Sequence, residues 1–175
     1  LIIGVISDSH DNLHALKLVL RRLLEHRVEL VVHLGDIISP FTVKLMKEVL
    51  GDIKVMAVKG NNDGDLYQLL ALFTQYGWVF KVEPGTVELR GKTVLLLHGY
   101  GNVNETVSFV NALTRSLKVD MVLYGHTHKV SVEKIDGKLV LNPGEVCGYL
   151  SGSASYAIVD LKSLKAEIAF LEKEW

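Results

Sequence analysis

At 175 residues and 49% hydrophobic, the chain carries enough apolar material to close a core, and it is read as one domain over 1–175. A formal charge of −1 excludes a broad electrostatic grip on nucleic acid or an anionic membrane. A lone cysteine, Cys147, excludes an intramolecular disulfide; with no apolar run near the roughly 20 residues that span a bilayer, and no basic leader before Asp8, a soluble cytoplasmic protein is expected.

The first predicted element is the apolar run Leu1–Ser7, a buried strand that ends abruptly in Asp8 and His10. Asp11-Asn12 supplies a cap for a helix to Glu25, with Leu13, Leu16, Leu20, Leu23 and Leu24 at helical spacing. Strand Leu30–Leu34 ends in Gly35-Asp36, and Ser39-Pro40 opens a helix to about Leu50. Strand Ile53–Val58 ends in Gly60-Asn61-Asn62-Asp63, and a helix follows over Asp65–Gln75. This βαβαβα order predicts a doubly wound half. The second half predicts strands Val79–Val82, Thr86–Arg90 and Thr93–His98, with a tight turn at Gly91-Lys92. A helix capped by Asn104 follows, carrying Val107, Val110, Leu113 and Leu117. Strands Met121–Tyr124, Val130–Ile135 and Lys138–Leu141 come next, with a turn at Asp136-Gly137, then a hairpin of Ser155–Leu161 with Ala166–Leu171. The fold expected is α/β: two mixed β-sheets packed face to face, with helices outside.

Five strands thus end in polar side chains that bind metals: Asp8 and His10, Asp36, Asn61, His98, and His126 with His128. Ligand chemistry at the carboxyl ends of strands is where open α/β sheets build their sites. Mixed oxygen and imidazole donors suit Mn2+, Fe2+, Zn2+, Co2+ or Ni2+, and seven are too many for one ion. Two ions about 3.5–4 Å apart, sharing a carboxylate, can clamp an in-line phosphoryl displacement. With two carboxylates and a hydroxide such a pair keeps a charge of about +1, which draws a phosphate anion.

Taken singly, several of these features have plainer readings. Asp8 can be a helix-cap carboxylate, Gly60-Asn61-Asn62-Asp63-Gly64 a loop of turn formers, and His98 a satisfied buried imidazole. His33, inside a strand, reads as a buried hydrogen-bonded histidine, and His14 and His26 as solvent-facing. Cys147 reads as a small hydrophobe, and Gly99–Asn102 as a flexible loop. Tyr76, Trp78 and Phe80 fit either core packing or a subunit contact in a homodimer or homotetramer.

The motifs Asp8-x-His10, Gly35-Asp36, Gly60-Asn61-x-Asp63, His98 and Gly125-His126-x-His128, in that order, resemble those of the calcineurin-like metallophosphoesterases. The length resembles the small single-domain prokaryotic phosphodiesterases of that superfamily, and Asn142-Pro143-Gly144 resembles a turn they carry. The resemblance implies that Asp8, His10 and His128 hold one metal and that Asn61, His98 and His126 hold another, with Asp36 between them. It implies a bridging hydroxide as nucleophile, Mn2+ as the leading metal with Ni2+, Zn2+, Fe2+, Co2+ or Mg2+ as substitutes, and a small phosphoester substrate. Asn61 would also sit beside the phosphate and Asp63 would orient ligands, so that Asn61, Asp63 and His98 are the expected catalytic residues. Many relatives carry a histidine, thought to protonate the leaving group, where this chain has Asn62. An amide cannot serve as a general acid near neutral pH, which points to diesters or activated esters. Two other functions fit the same motifs: a non-catalytic protein-binding scaffold like the retromer subunit of this fold, and a phosphomonoesterase or nucleotide pyrophosphohydrolase.

Overall fold

In the computed structural model the opening apolar run forms β1 (Ile2–Ile6), buried on both faces. Residues 1–172 are described; the last three of the span expected to form one domain lie outside the described residues. Strand periodicity sends Ile3 and Val5 to one face and Ile2 and Ile6 to the other, so β1 needs a cover on each side. It pairs in parallel with β2 (Leu30–His33), which continues in parallel to β3 (Lys54–Val58) and β4 (Val79–Lys81). On its other edge lies the antiparallel hairpin of β10 (Ser155–Asp160) and β11 (Lys165–Phe170). The second sheet runs β5 (Gly85–Leu89), β6 (Lys92–Leu96), β7 (Met121–Leu123), β9 (Lys138–Pro143) and β8 (Val130–Ile135) in spatial order. Both sheets mix parallel and antiparallel pairs, as the sequence predicts.

Three helices, α1 (Leu13–Glu25), α2 (Pro40–Leu50) and α3 (Leu66–Gln75), link the parallel strands. Their apolar stripes, including Leu16, Leu20, Met46 and Phe73, all join one cluster with Ile6, Val31 and Val55. The half is therefore wound on one face only, which corrects the doubly wound expectation. Strand order β1-β2-β3-β4 never reverses, so successive right-handed crossovers lay every helix on the same side. The second sheet covers the other face through Ile3, Val5, Val32 and Leu34 against Val94, Leu96, Met121 and Leu141. Beyond that sheet, α4 (Val103–Ser116) packs Val110 on Leu95, Leu97 and Val122.

Two local expectations shift. The cap of α4 is Asn102, not Asn104: its side chain accepts from the backbone N–H of Asn104 and Glu105, and Glu105 returns a bond to the Asn102 N–H. The turn after β5 is Arg90-Gly91 rather than Gly91-Lys92, because Leu89 pairs with Lys92 and both corner residues have positive φ. Trp78 is buried and stacks edge-on with Phe73 and Tyr76, so the core reading of that aromatic group holds. Among the described residues no helix is long and apolar enough to cross a membrane.

Candidate metal centre

The carboxyl ends of β1, β2 and β3 meet those of β6 and β7 at one edge of the sandwich. Backbone hydrogen bonds stitch the emerging loops together: Asp8 N–H to Gly35 O (3.0 Å), His10 N–H to Asp36 O (3.0 Å) and Gly125 N–H to His98 O (2.8 Å). Immediately past the strands the chain must turn sharply to aim side chains back over the sheet edge. Asp8, His10, Asp36, His126 and His128 accordingly sit at φ of 53°, 42°, 56°, 68° and 56°. Left-handed backbone costs a residue with a Cβ about 1–2 kcal/mol, strain that concentrates at functional sites. Gly60 shows how close the loops approach, since a Cβ there would overlap the Asp36 carboxylate.

All seven expected ligand side chains converge. In one group His10 Nε2 lies 3.3 Å from Asp36 Oδ2 and 3.8 Å from Asp8 Oδ1, and His128 Nε2 lies 3.4 Å from Asp8 Oδ1. In the other, Asn61 Oδ1 is 3.0 Å from His98 Nε2 and 2.9 Å from His126 Nδ1, and the two rings are 3.3 Å apart at those nitrogens. Asp36 stands between them, with His98 Nε2 3.6 Å from its Oδ2. Neighbouring donors around an ion with bonds of about 2.1 Å are about 3.0–3.4 Å apart, and the separations here, 2.9–3.8 Å, lie in or near that range.

The outer nitrogens of the rings fix their tautomers. His98 Nδ1 donates to Leu34 O (2.6 Å), His126 Nε2 to Gly101 O (2.6 Å) and His128 Nδ1 to the Glu145 carboxylate (2.6 Å). Each neutral ring therefore turns its lone pair inward, toward carboxylate and amide oxygens that also carry only lone pairs. Asp8 Oδ1 and His10 Nε2 are buried without a hydrogen-bond partner. Such a convergence of acceptors is repulsive unless a cation occupies its centre, so the donor set fits divalent metal.

The electrostatics agree. Burial pulls the His98 pKa down, but the neighbouring Asp36 and Asp8 carboxylates outweigh it and the net shift is upward. At His128 burial is likewise outweighed, by Glu145 and Asp8. Burial opposes ionisation of Asp36, yet the His98 imidazole and two bonds from Asn62 hold its carboxyl well below the usual range. The site attracts positive charge, whether proton or metal.

The buried Asp63 carboxylate accepts from the backbone N–H of Asp36 (3.1 Å), Ile38 (2.7 Å) and Gly60 (2.7 Å), joining the loops after β2 and β3. Sequence reasoning missed Glu145 and gave Asp11 only a place beside the helix cap. Fully buried Glu145 is held to a pKa of about 2; its burial is overcome by His128, Ser151 and Cys147 as donors. Asp11 accepts from the hydroxyls of Ser39 (2.8 Å) and Thr42 (2.6 Å), tying the first loop to α2. Neither is paired with a second ligand residue at a strand end; only the turn Asn142-Pro143-Gly144 just before Glu145 hinted at it. Cys147 is buried, and burial followed by the Glu145 carboxylate pushes its thiol pKa up, in keeping with a small hydrophobe. His33 is buried and bonded to Ser9 Oγ, while His14 and His26 are exposed.

This fold and donor set are those of a metal-dependent hydrolase of phosphoesters. Residues 1–164 match the calcineurin-like phosphoesterase superfamily domain, and the chain belongs to that superfamily. It is 31% identical over 171 residues to the phosphodiesterase MJ0936 of Methanocaldococcus jannaschii, spanning 97% of this chain and 99% of that protein. The solved structure of a novel archaeal phosphodiesterase superposes with a TM-score of 0.86 at 31% identity, over 98% of this chain and all of the other (100%). Zinc-bound Vps29 of Entamoeba histolytica, at 22% identity and TM-score 0.68 over 97% of this chain and 99% of that one, shares the fold.

Proposed function

We propose that the protein is a phosphodiesterase working with two divalent ions, Mn2+ foremost, on a small phosphoester. The observation that carries this reading is the inward lone-pair convergence: three imidazoles, each pinned through its outer nitrogen, face carboxylate and amide oxygens with no proton to share. Asp8, His10 and His128 would hold one ion, Asn61, His98 and His126 the other, and Asp36 both. Bound there, the ions supply Lewis acidity and a water acidic enough to attack phosphorus near neutral pH. The remaining chemistry belongs to the chain. Asn61 Oδ1 stands as a third acceptor beside the inward nitrogens of His98 and His126, Asp63 fixes the Asp36 and Gly60 backbones, and Glu145 orients His128. Asn62 spends its side-chain donor on Asp36 Oδ2 (2.7 Å) and has no acidic proton for a departing alkoxide. Esters with good leaving groups are therefore favoured.

Metal-stripped protein should be inert toward bis-(p-nitrophenyl) phosphate and recover turnover as Mn2+, Ni2+, Zn2+ or Mg2+ is restored, each separately. His128→Ala should lose roughly 100-fold or more, as expected when a ligand is removed. Nitrophenyl leaving groups should outpace alkyl ones. Equal turnover by parent and variant would refute catalysis at this site; metal bound without turnover of any ester would indicate a scaffold instead.

A further inference from the structure

A cavity of about 340 Å3 opens beside the metal-ligand cluster, lined by His10, Asn62, His128, Tyr149 and Leu150. Three of these belong to the polar centre; the other two form its apolar outer wall. Tyr149 and Leu150 are 63% and 75% exposed, so no other part of the described chain covers them. The backbone of the loop that carries them is tethered. The buried Glu145 carboxylate accepts from the backbone N–H groups of Leu150 (3.0 Å) and Ser151, and it also holds His128 Nδ1 (2.6 Å). Below it Cys147 N–H donates to Asp8 O (3.1 Å), and Asn12 Nδ2 donates to Cys147 O (3.0 Å). A single carboxylate thus fixes both a metal-facing imidazole and the apolar wall, and a surface ordered before binding loses little entropy on contact.

We infer that Tyr149 and Leu150 form the subsite for one organic substituent of the phosphoester, and that this substituent is a flat, apolar group such as an aryl ring. The wall rests on the phosphoesterase reading: a phosphoryl group drawn to the His10–His128 cluster brings its substituent alongside. Its volume lies at the low end of the roughly 300–1,000 Å3 of ligand pockets, which suits one ring. Beyond His10, His128 and Asn62, whose amide is committed to Asp36, the lining offers carbon surface and a phenol, with no cation to reward a second phosphate.

The test is calorimetric binding of phenylphosphonate and methylphosphonate to the Mn2+-loaded protein, in the parent, in a Tyr149→Ser/Leu150→Ser variant, and in Tyr67→Ser as an exposed-aromatic control on α3. The parent should bind phenylphosphonate about tenfold tighter, the low end of what apolar contact adds to discrimination. The double variant should bring that ratio to about one and raise KM for bis-(p-nitrophenyl) phosphate, whereas the control should keep the parent's ratio. Both wall residues are exposed, so the variant is expected to fold, which circular dichroism checks. Equal affinities in the parent, failure to bind either phosphonate, or a preference that survives the double variant would overturn the inference. Absence of metal-dependent diester hydrolysis would instead sink the reaction assignment, and the affinity ratio would still decide the wall.

Discussion

Glu145 shows how much a single buried side chain can control. Its carboxylate accepts from His128 Nδ1, and that bond keeps the His128 lone pair on Nε2, facing Asp8. Partners of metal-bound histidines typically carry about 10–100-fold in metal affinity. Glu145→Gln should therefore weaken Mn2+ binding about tenfold in calorimetric titration; unchanged affinity would show that His128 is oriented by other means. The candidate ligands were legible in the sequence because each follows an apolar run within four residues. Glu145 was not, since its partner His128 lies 17 residues away in sequence and meets it only through the antiparallel pairing of β8 with β9, where Val130 lies opposite Pro143. Asn62 was read as a lost acid; the structure adds that its amide is committed to Asp36.

The strand ends carry the strain that aims the proposed ligands. His126 sits at φ 68°, where a Cβ is disfavoured and glycine is not. In metal-free protein His126→Gly should accordingly be more stable than His126→Ala by about 1 kcal/mol, the reverse of the usual order of these residues. Chemical denaturation of the two variants measures it, and an alanine variant of equal or greater stability would mean that the loop is relaxed. Hydrophobic periodicity located the helices and strands to within a residue or two. It could not tell one-faced from two-faced winding, because β1 reads as apolar on both sides whether helices or a second sheet cover it. The cap of α4 was missed although Asn102 stands three residues before Glu105, a capping-box spacing that Asn104 lacks, and the structure shows both reciprocal bonds.

Across the whole molecule, acid stability depends on histidines outside the ligand set as well as within it. His33 is fully buried; burial, foremost, lowers its pKa to about 4, and the Gly35 N–H already occupies its Nδ1. The unfolded chain takes up that proton near pH 6.5 and the folded one only near 4, so stability is lost as pH falls through that window, by about 3 kcal/mol. His98 and His128, with raised pKa values, act in the opposite sense, losing their contribution to metal-free stability as pH rises past the ordinary imidazole range. His33→Asn keeps an acceptor for Gly35 and removes the titration. Its stability between pH 6.5 and 4 should fall less steeply than the parent's, and identical slopes would assign the acid lability elsewhere. The account as a whole depends on two cations sharing Asp36. Anomalous diffraction from crystals soaked in Mn2+ tests that directly: it should show two peaks about 3.5–4 Å apart astride the Asp36 carboxylate. A single peak, or metal away from Asp36, would contradict it.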